Sequence, residues 1–173
     1  MKKPAMLALV ALLAAAVSIS GDSVALSQSA CAGNGVQTGR IVVGMPGHDF
    51  INCKGSTIDL IIFGLGGNDW LEGGDGKDFI SGGPGNDIII GQGGRDVLRG
   101  GPGRDFLAGG PCDDVLRGGL ADDLLFGGAG DDVLFGGDGD DRLIGGDGMD
   151  LCDGQGGEGD KADNSCEIPA HVP

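Results

Sequence analysis

The sequence predicts an all-β solenoid, a stack of short, similar units. Three observations predict it. Aspartates recur at strict nine-residue intervals, each unit begins with a glycine-rich stretch, and a Leu or Ile stands two residues after the aspartate in nearly every unit. Tandem repeats of this kind are typical of solenoids, in which each unit buries its apolar residue against its neighbours.

Ten tandem units run without a gap from Gly64 to Asp153. The sixth position of each unit holds what we call the repeat aspartate, and the ten are Asp69, Asp78, Asp87, Asp96, Asp105, Asp114, Asp123, Asp132, Asp141 and Asp150. Residues 44–63 are predicted to form degenerate repeats, with one unit that fits the template and a degenerate copy around Asp59. Asp59 lies ten residues from Asp49 and ten from Asp69, which predicts one extra residue in each interval.

Within each unit, the first six residues have turn chemistry and the last three have strand chemistry. A three-residue strand points its middle side chain away from its neighbours, so the middle column should form the core. That column is Leu71, Ile80, Ile89, Leu98, Leu107, Leu116, Leu125, Leu134, Leu143 and Cys152. A regular apolar column argues against the disorder that 39 glycines would otherwise suggest.

The charge balance indicates which partners to expect. The chain has 26 acidic residues against 11 Lys and Arg, and its formal net charge is −15. Phosphates would repel such a chain, so we expect no nucleic-acid partner. Cations, in contrast, would be concentrated near it.

The units follow the template G-G-x-G-x-D-x-U-x, where U is a large apolar residue, as in GGAGDDVLF from Gly127. This template resembles the repeat of RTX, or haemolysin-type, calcium-binding proteins. The resemblance implies a right-handed parallel β-roll in which two units make one turn, so that alternate units fall in two stacks. It also implies Ca²⁺ ions between successive turns, bridged by repeat aspartates eighteen residues apart.

The repeat aspartates give pairs at that spacing from Asp69 with Asp87 to Asp132 with Asp150, which bounds the regular calcium sites at eight. Stacked carboxylates repel one another unless a cation lies between them. Ca²⁺ takes about six to eight oxygen ligands, which carboxylates and glycine-loop carbonyls supply. We therefore expect the chain to fold on binding calcium, with Mg²⁺ as a poor substitute.

Several units depart from the template. A second acid precedes the repeat aspartate at Asp113, Asp122, Asp131 and Asp140. We interpret these acids as solvent-facing charges that concentrate cations, with direct ligation as the alternative. Where Cys112 and Ala121 replace the fourth glycine, we expect altered loops and weaker sites.

The first 25 residues have the three parts of a secretory signal peptide: Lys2 and Lys3, an apolar run to Val17, and small residues up to Ala25. We expect cleavage near Ala25 and a secreted, extracellular protein. No membrane insertion is expected after processing, because the apolar run is short for a spanning helix.

Five cysteines fit an oxidising compartment. Proximity favours the pairs Cys31 with Cys53 and Cys152 with Cys166 and leaves Cys112 over, although spacing alone does not fix connectivity. Residues 26–43 and 154–173 are expected to cap the two ends of the stack, since identical units otherwise leave exposed strand edges.

No catalytic constellation emerges, since His48 and His171 form no zinc-binding pair, and we expect a protein that is not an enzyme. Strand positions seven and nine should face outward, and three successive pairs of one stack are wholly apolar: Ile88/Ile90, Phe106/Ala108 and Leu124/Phe126. Strand propensity alone could explain them, or they could form a surface for self-association or a cell-surface partner. The sequence thus favours a secreted calcium-binding protein, with a calcium-dependent structural or adhesive protein of a surface or matrix as the alternative.

Overall fold

The computed structural model describes residues 31–33 and 35–170 of the chain. The predicted signal peptide, residues 1–25, and His171 lie outside the described residues. In the described part of the chain, all regular secondary structure is β-strand. That part has no helix with the length and apolar character needed to cross a bilayer.

Seventeen short strands follow one another along residues 31–33 and 35–170. They are β1 Ala32–Gly33, β2 Val36–Thr38, β3 Ile41–Val43, β4 Phe50–Asn52, β5 Ile61–Phe63, β6 Trp70–Glu72, β7 Phe79–Ser81, β8 Ile88–Ile90, β9 Val97–Pro102, β10 Phe106–Pro111, β11 Val115–Leu120, β12 Leu124–Ala129, β13 Val133–Asp138, β14 Arg142–Asp147, β15 Asp150–Gln155, β16 Lys161–Ala162 and β17 Cys166–Ala170.

From β3 onward, the strands alternate between two sheets. The even sheet has eight strands in the order β1-β4-β6-β8-β10-β12-β14-β16, and the odd sheet has nine in the order β17-β15-β13-β11-β9-β7-β5-β3-β2. Within the regular repeats, neighbouring strands are parallel and pair residues eighteen apart, as Phe106 pairs with Leu124. The predicted parallel β-roll, with two units to a turn, is confirmed.

The core is the predicted column of middle strand residues. All of them, from Leu71 to Cys152, have an exposed fraction of 0%. The column continues upstream through Ile62, Ile51 and Val42. Val42 lies in β3, which pairs in parallel with β5, so part of the segment expected to be a cap is already a turn of the roll.

The strand register corrects the interpretation of Asp59. Leu60, not Asp59, takes the place of a repeat aspartate: it is 1% exposed, and its N–H donates to Oδ1 of Asp78 at 2.7 Å. Asp59 lies on the surface and pairs with Arg40 at 3.0 Å. The two extra residues therefore lie together between Asp49 and Leu60, because backbone pairing, and not the nearest acid, sets the register.

Irregular strands cover both ends of the roll. At the first end, β1 and β2 pair antiparallel with β4 and β3. At the other end, β16 and β17 continue the parallel sheets beside β14 and β15. Disulfides join Cys31 to Cys53 and Cys152 to Cys166, and Cys112 is an exposed free thiol.

Residues on either side of the core column face outward. On the even sheet, Trp70 and Ile88 are 41% and 36% exposed. Glu72 departs from the expectation of an outward charge, since it is only 7% exposed. The amide groups of Asn52 and Gln92 both donate to its carboxylate at 2.6 Å, so neighbouring side chains enclose it.

Candidate metal centre

Each repeat aspartate ends a glycine-rich turn, directly before a strand or, for Asp150, as the first residue of β15, and its side chain folds back into that turn. The first glycine of the unit makes the room. A Cβ added to Gly64 would collide with Oδ2 of Asp69, and one added to Gly91 would collide with Oδ2 of Asp96. Glycine and aspartate therefore recur together because the missing side chain of one leaves space for the carboxylate of the other.

One carboxylate oxygen, Oδ1, links successive turns. It accepts a hydrogen bond from the main-chain N–H of the repeat aspartate one turn earlier, as Asp96 donates to Asp114 at 2.7 Å. The same bond is donated by Asp69, Asp78, Asp87, Asp105, Asp114, Asp123 and Asp132. Each turn thus holds its neighbour through a side chain, and an ionised acceptor makes such a bond roughly twice as strong as a neutral one.

The other oxygen, Oδ2, is buried and has no hydrogen-bond donor in the described part of the chain. This holds for Asp69, Asp87, Asp96, Asp105, Asp114, Asp123, Asp132, Asp141 and Asp160. The carbonyl oxygen of the first glycine one turn later borders the same space, as Gly109 O does beside Oδ2 of Asp96. Two acceptors cannot satisfy each other, and burying an unsatisfied carboxylate is costly. A cation between them satisfies both, so the residues present fit a metal ion.

Burial raises the pKa of the repeat-aspartate carboxyl groups from Asp87 to Asp141, backbone N–H donors lower it in part, and neighbouring carboxylates of the same column raise it further. The pKa rises to about 8 for Asp114 and Asp123, about 7 for Asp96 and Asp105, and about 6 for Asp87, Asp132 and Asp141. Without a cation, a column of turns therefore cannot keep every carboxyl ionised at neutral pH.

The sequence interpretation missed one member of the even-sheet column, Asp160. Its Oδ1 accepts the N–H of Asp141 at 2.9 Å, and its Oδ2 is buried like those before it. The ten-residue step from Asp150 hid it, because the template requires nine. Gly154 takes the place of the first glycine of a regular unit, since a Cβ there would collide with Oδ2 of Asp160. This glycine was the feature of the sequence that could have indicated Asp160.

The two columns differ at their first turns. On the even side, Asp49 is 5% exposed and donates its N–H to Oδ1 of Asp69 at 2.8 Å, so a carboxylate stands in the equivalent place. On the odd side that place belongs to the apolar Leu60. Oδ2 of Asp78, the next residue of this column, accepts the N–H of Gly74 at 2.8 Å.

Side chains alone do not make a closed cage. Across residues 31–33 and 35–170, no three Asp, Glu, His or Cys side chains meet in a group able to hold a metal. An ion here would therefore depend on backbone carbonyls as well as carboxylates. That donor set, all oxygen, suits Ca²⁺ and not Zn²⁺, which prefers nitrogen and sulfur.

The second acids of the units are exposed and also reach across turns. Oδ1 of Asp113 accepts the N–H of Asp131 at 3.2 Å, and Oδ1 of Asp131 accepts that of Met149 at 3.0 Å. In the same way, Oδ1 of Asn86 accepts the N–H of Arg104 at 2.9 Å. A polar side chain at the fifth position therefore bonds the backbone of the next turn, a structural role that the sequence interpretation did not include.

Cys112 and Ala121 replace glycine at positions that need a left-handed backbone. Their φ angles are 83° and 75°. Side chains with a Cβ disfavour this region, so these two turns are strained, as are those at Leu65, Gln92 and Gln155, which also have positive φ.

The fold and the buried carboxylates define a class: a β-roll repeat protein whose stacked acidic turns suit an oxygen-ligated cation. The family model of the RTX calcium-binding nonapeptide repeat matches this chain in four copies, at residues 61–89, 90–125, 117–152 and 126–160. The chain belongs to this family of RTX calcium-binding repeat proteins. Searches of curated proteins and of solved structures gave no match.

Proposed function

We propose that this protein is a secreted calcium-binding protein whose β-roll folds as Ca²⁺ enters its stacked turns. One observation carries the proposal: along each column a buried Oδ2 faces a glycine carbonyl oxygen, as with Asp96 and Gly109. Ca²⁺ accepts carboxylate and carbonyl oxygens in flexible geometry, whereas Mg²⁺ demands a tighter octahedron. Membership of the RTX family supports the same metal.

The repeat aspartates are the residues that would hold the ions, together with carbonyl groups of the glycine-rich turns. Those of the regular units, Asp69 to Asp150, allow up to about eight sites. Asp49 and Asp160 extend the even-sheet column at its two ends. Leu60 supplies no carboxylate to Asp78, so the odd-sheet column starts later.

Calcium binding and folding are then a single event. The unfolded chain has no preformed site, so the free energy of binding adds directly to the free energy of folding. Ordering 39 glycines costs more backbone entropy than ordering other residues. The chain without calcium is accordingly expanded, and the calcium-bound chain is compact and rich in sheet.

We also propose that the protein is exported from the cell and that it is not an enzyme. The signal-like first 25 residues and the two disulfides, Cys31–Cys53 and Cys152–Cys166, support an oxidising, extracellular location. His48 is bound by the backbone of Asn68, whose N–H donates to its Nδ1 at 2.9 Å. That bond supports a structural role for the histidine and not a catalytic one.

Calcium titration of the full mature chain tests the proposal. Far-ultraviolet circular dichroism should show sheet signal appearing with Ca²⁺, the hydrodynamic radius should fall, and calorimetry should count several ions per chain. The same titration with Mg²⁺ is the control and should produce little sheet. A chelated sample that keeps its sheet signal and its compact radius at neutral pH contradicts the proposal.

A second candidate function is a structural or adhesive element that uses the outer face of the even sheet. The rings of Phe106 and Phe126 pack on that face with centroids 5.5 Å apart, and Ile88 is 36% exposed. Sedimentation of the calcium-bound chain should then show self-association that Ile88→Thr, Ile90→Thr, Leu124→Thr and Phe126→Thr together abolish. A wild-type chain that stays monomeric at high concentration in calcium argues against self-association.

A further inference from the structure

The outer face of the odd sheet carries a row of aromatic and cationic side chains. Phe63 and Phe79 pack with ring centroids 6.0 Å apart. The guanidinium of Arg99 lies over the ring of Phe79 at 5.2 Å, and that of Arg117 lies over the ring of Phe135 at 5.0 Å. We call these five residues the arginine row. The contacts hold both cations flat against the sheet.

The two arginines stand beside each other on adjacent strands. Arg99 and Arg117 are register partners in the pairing of β9 with β11, and both are exposed. Like charges directly opposite each other destabilise a sheet. Among the described residues the ion pairs are those of Arg40 and Arg95, so neither arginine of the row has an acidic partner. Repulsion between Arg99 and Arg117 therefore destabilises the sheet, and an external anion bound between them would remove that repulsion.

Acidic residues are scarce on this face: none stands among its outward strand residues from β3 to β13, and Asp153 in β15, the register partner of Phe135, lies at its end. The outward residues of the odd sheet from Ile41 to Phe135 are Ile41, Val43, Ile61, Phe63, Phe79, Ser81, Val97, Arg99, Val115, Arg117, Val133 and Phe135. Most acids of the regular repeats lie instead in the turns at the two edges. The face is therefore apolar and cationic on a protein of formal net charge −15.

Calcium changes how such a chain meets an anionic partner. Without calcium the negative turns would repel it. Eight ions would carry sixteen positive charges, which offsets the net charge of −15 almost completely. This step depends on the proposed calcium binding. It makes the cationic face effective only in the calcium-bound state.

We propose that the arginine row and the valines beside it form a docking surface for an anionic lipid membrane, engaged when calcium is bound. Arginine pairs with phosphate in a bidentate manner. Aromatic rings and aliphatic side chains suit the boundary between headgroups and acyl chains. A flat sheet presents all of these groups to a flat surface at once.

A second copy of the chain fits this face less well. The first three residues of each strand from β3 to β13 give a face roughly 10 Å wide and, over these six strands, roughly 30 Å long. That is about 300 Å², less than half of the roughly 800 Å² that each partner buries in a stable complex. Two copies would also bring arginine rows of the same charge together. A membrane needs no such area, because its surface is continuous.

The test is vesicle sedimentation of the full mature chain in calcium, with phosphatidylcholine vesicles that contain or lack phosphatidylglycerol. The wild type should bind only the anionic vesicles. Each arginine near an anionic surface contributes about a fivefold gain in affinity, so Arg99→Gln with Arg117→Gln should weaken binding by about 25-fold. The matched control is Arg142→Gln with Lys161→Gln, a register pair on the even sheet that removes the same charge and should change binding less than threefold.

Several outcomes overturn the proposal. Failure of the wild type to bind anionic vesicles does so, and so does equal loss in the two double variants, which would indicate net charge alone. Preferential capture by an acidic peptide or a soluble polyanion would replace the membrane by that partner. Circular dichroism of each variant in calcium is recorded first. A chain that keeps its sheet signal without calcium contradicts the proposed function only, and the vesicle comparison proceeds on the same variants.

Discussion

The main-chain N–H of Asp96 donates to Oδ1 of Asp114 at 2.7 Å, while Oδ2 of the same Asp114 carboxylate is buried without a donor among the described residues. The two oxygens therefore have different tasks. Oδ1 fixes the spacing between turns. Oδ2 points away from that hydrogen bond, into the buried space that the carbonyl oxygen of Gly127 also borders. A substitution that preserves one oxygen and changes the charge separates the two tasks.

Asp114→Asn is such a substitution. The amide keeps an oxygen that accepts the N–H of Asp96, but it removes the negative charge and puts an NH₂ donor beside the carbonyl of Gly127. We expect a loss of about 1.5–3 kcal/mol from the free energy of unfolding in calcium, the usual cost of losing a contact to a charged group. Asp113→Asn, which makes the same charge change on the exposed neighbour, should cost less than about 0.5 kcal/mol. Urea unfolding in saturating calcium measures both, and equal losses would contradict the assignment of Oδ2 to the metal.

The pH dependence of the calcium-free chain follows from the raised pKa values. The pKa of Asp123 is about 8 in the roll and near 3.8 when unfolded, because burial disfavours the charged form. The folded state therefore binds protons more tightly than the unfolded state. The stability that the protonated Asp123 carboxyl contributes to the calcium-free roll is therefore fully present below about pH 4 and is lost as the pH rises through about 8.

We therefore expect a chelated sample to gain sheet signal as the pH falls from 8 towards 4. Calcium binding at neutral pH should release protons, which calorimetry in buffers of different ionisation enthalpy detects. A chelated chain whose sheet signal is independent of pH over this range would show that the carboxyls are not buried as described.

Ala121→Gly should stabilise the calcium-bound roll. Ala121 has φ of 75°, a left-handed conformation that costs a residue with a Cβ about 1–2 kcal/mol. The entropy cost of glycine offsets part of the gain, which leaves about 0.5–1 kcal/mol. Ala108→Gly, in the strand β10, should instead destabilise by about 0.5–1 kcal/mol. Thermal unfolding in calcium checks both signs, and a lower Tm for Ala121→Gly would refute the strain.

The disulfide between Cys152 and Cys166 should contribute to the stability of the C-terminal end. It closes a sequence separation of 14 residues, for which the loop-entropy estimate is about 3 kcal/mol. Cys152→Ala with Cys166→Ala should lower the free energy of unfolding by about that amount and increase amide exchange in β17 first. Cys112→Ser, which changes an exposed free thiol, should be near neutral. Uniform exchange along the roll in the double variant would indicate that this end is not held separately.

The periodicity of the sequence predicted the fold because the spacing of eighteen residues and the burial of Leu71 or Leu134 both follow from the alternation of short strands. It did not predict that Leu60 replaces an aspartate, since an irregular segment shifts the register without changing composition. Asp160 was missed for the same reason. The division of work between Oδ1 and Oδ2 depends on backbone geometry, which no residue pattern records.

The alternation of strands between two sheets limits how the length of this protein can change. Insertion or deletion of two neighbouring units adds or removes one complete turn and leaves every later side chain on its own face. Insertion of a single unit ahead of β9 would move every later strand to the other sheet, so that Arg99 and Arg117 would project from the opposite side of the roll. The protein therefore has a parity: its repeats can be gained or lost in even numbers without inverting the molecule.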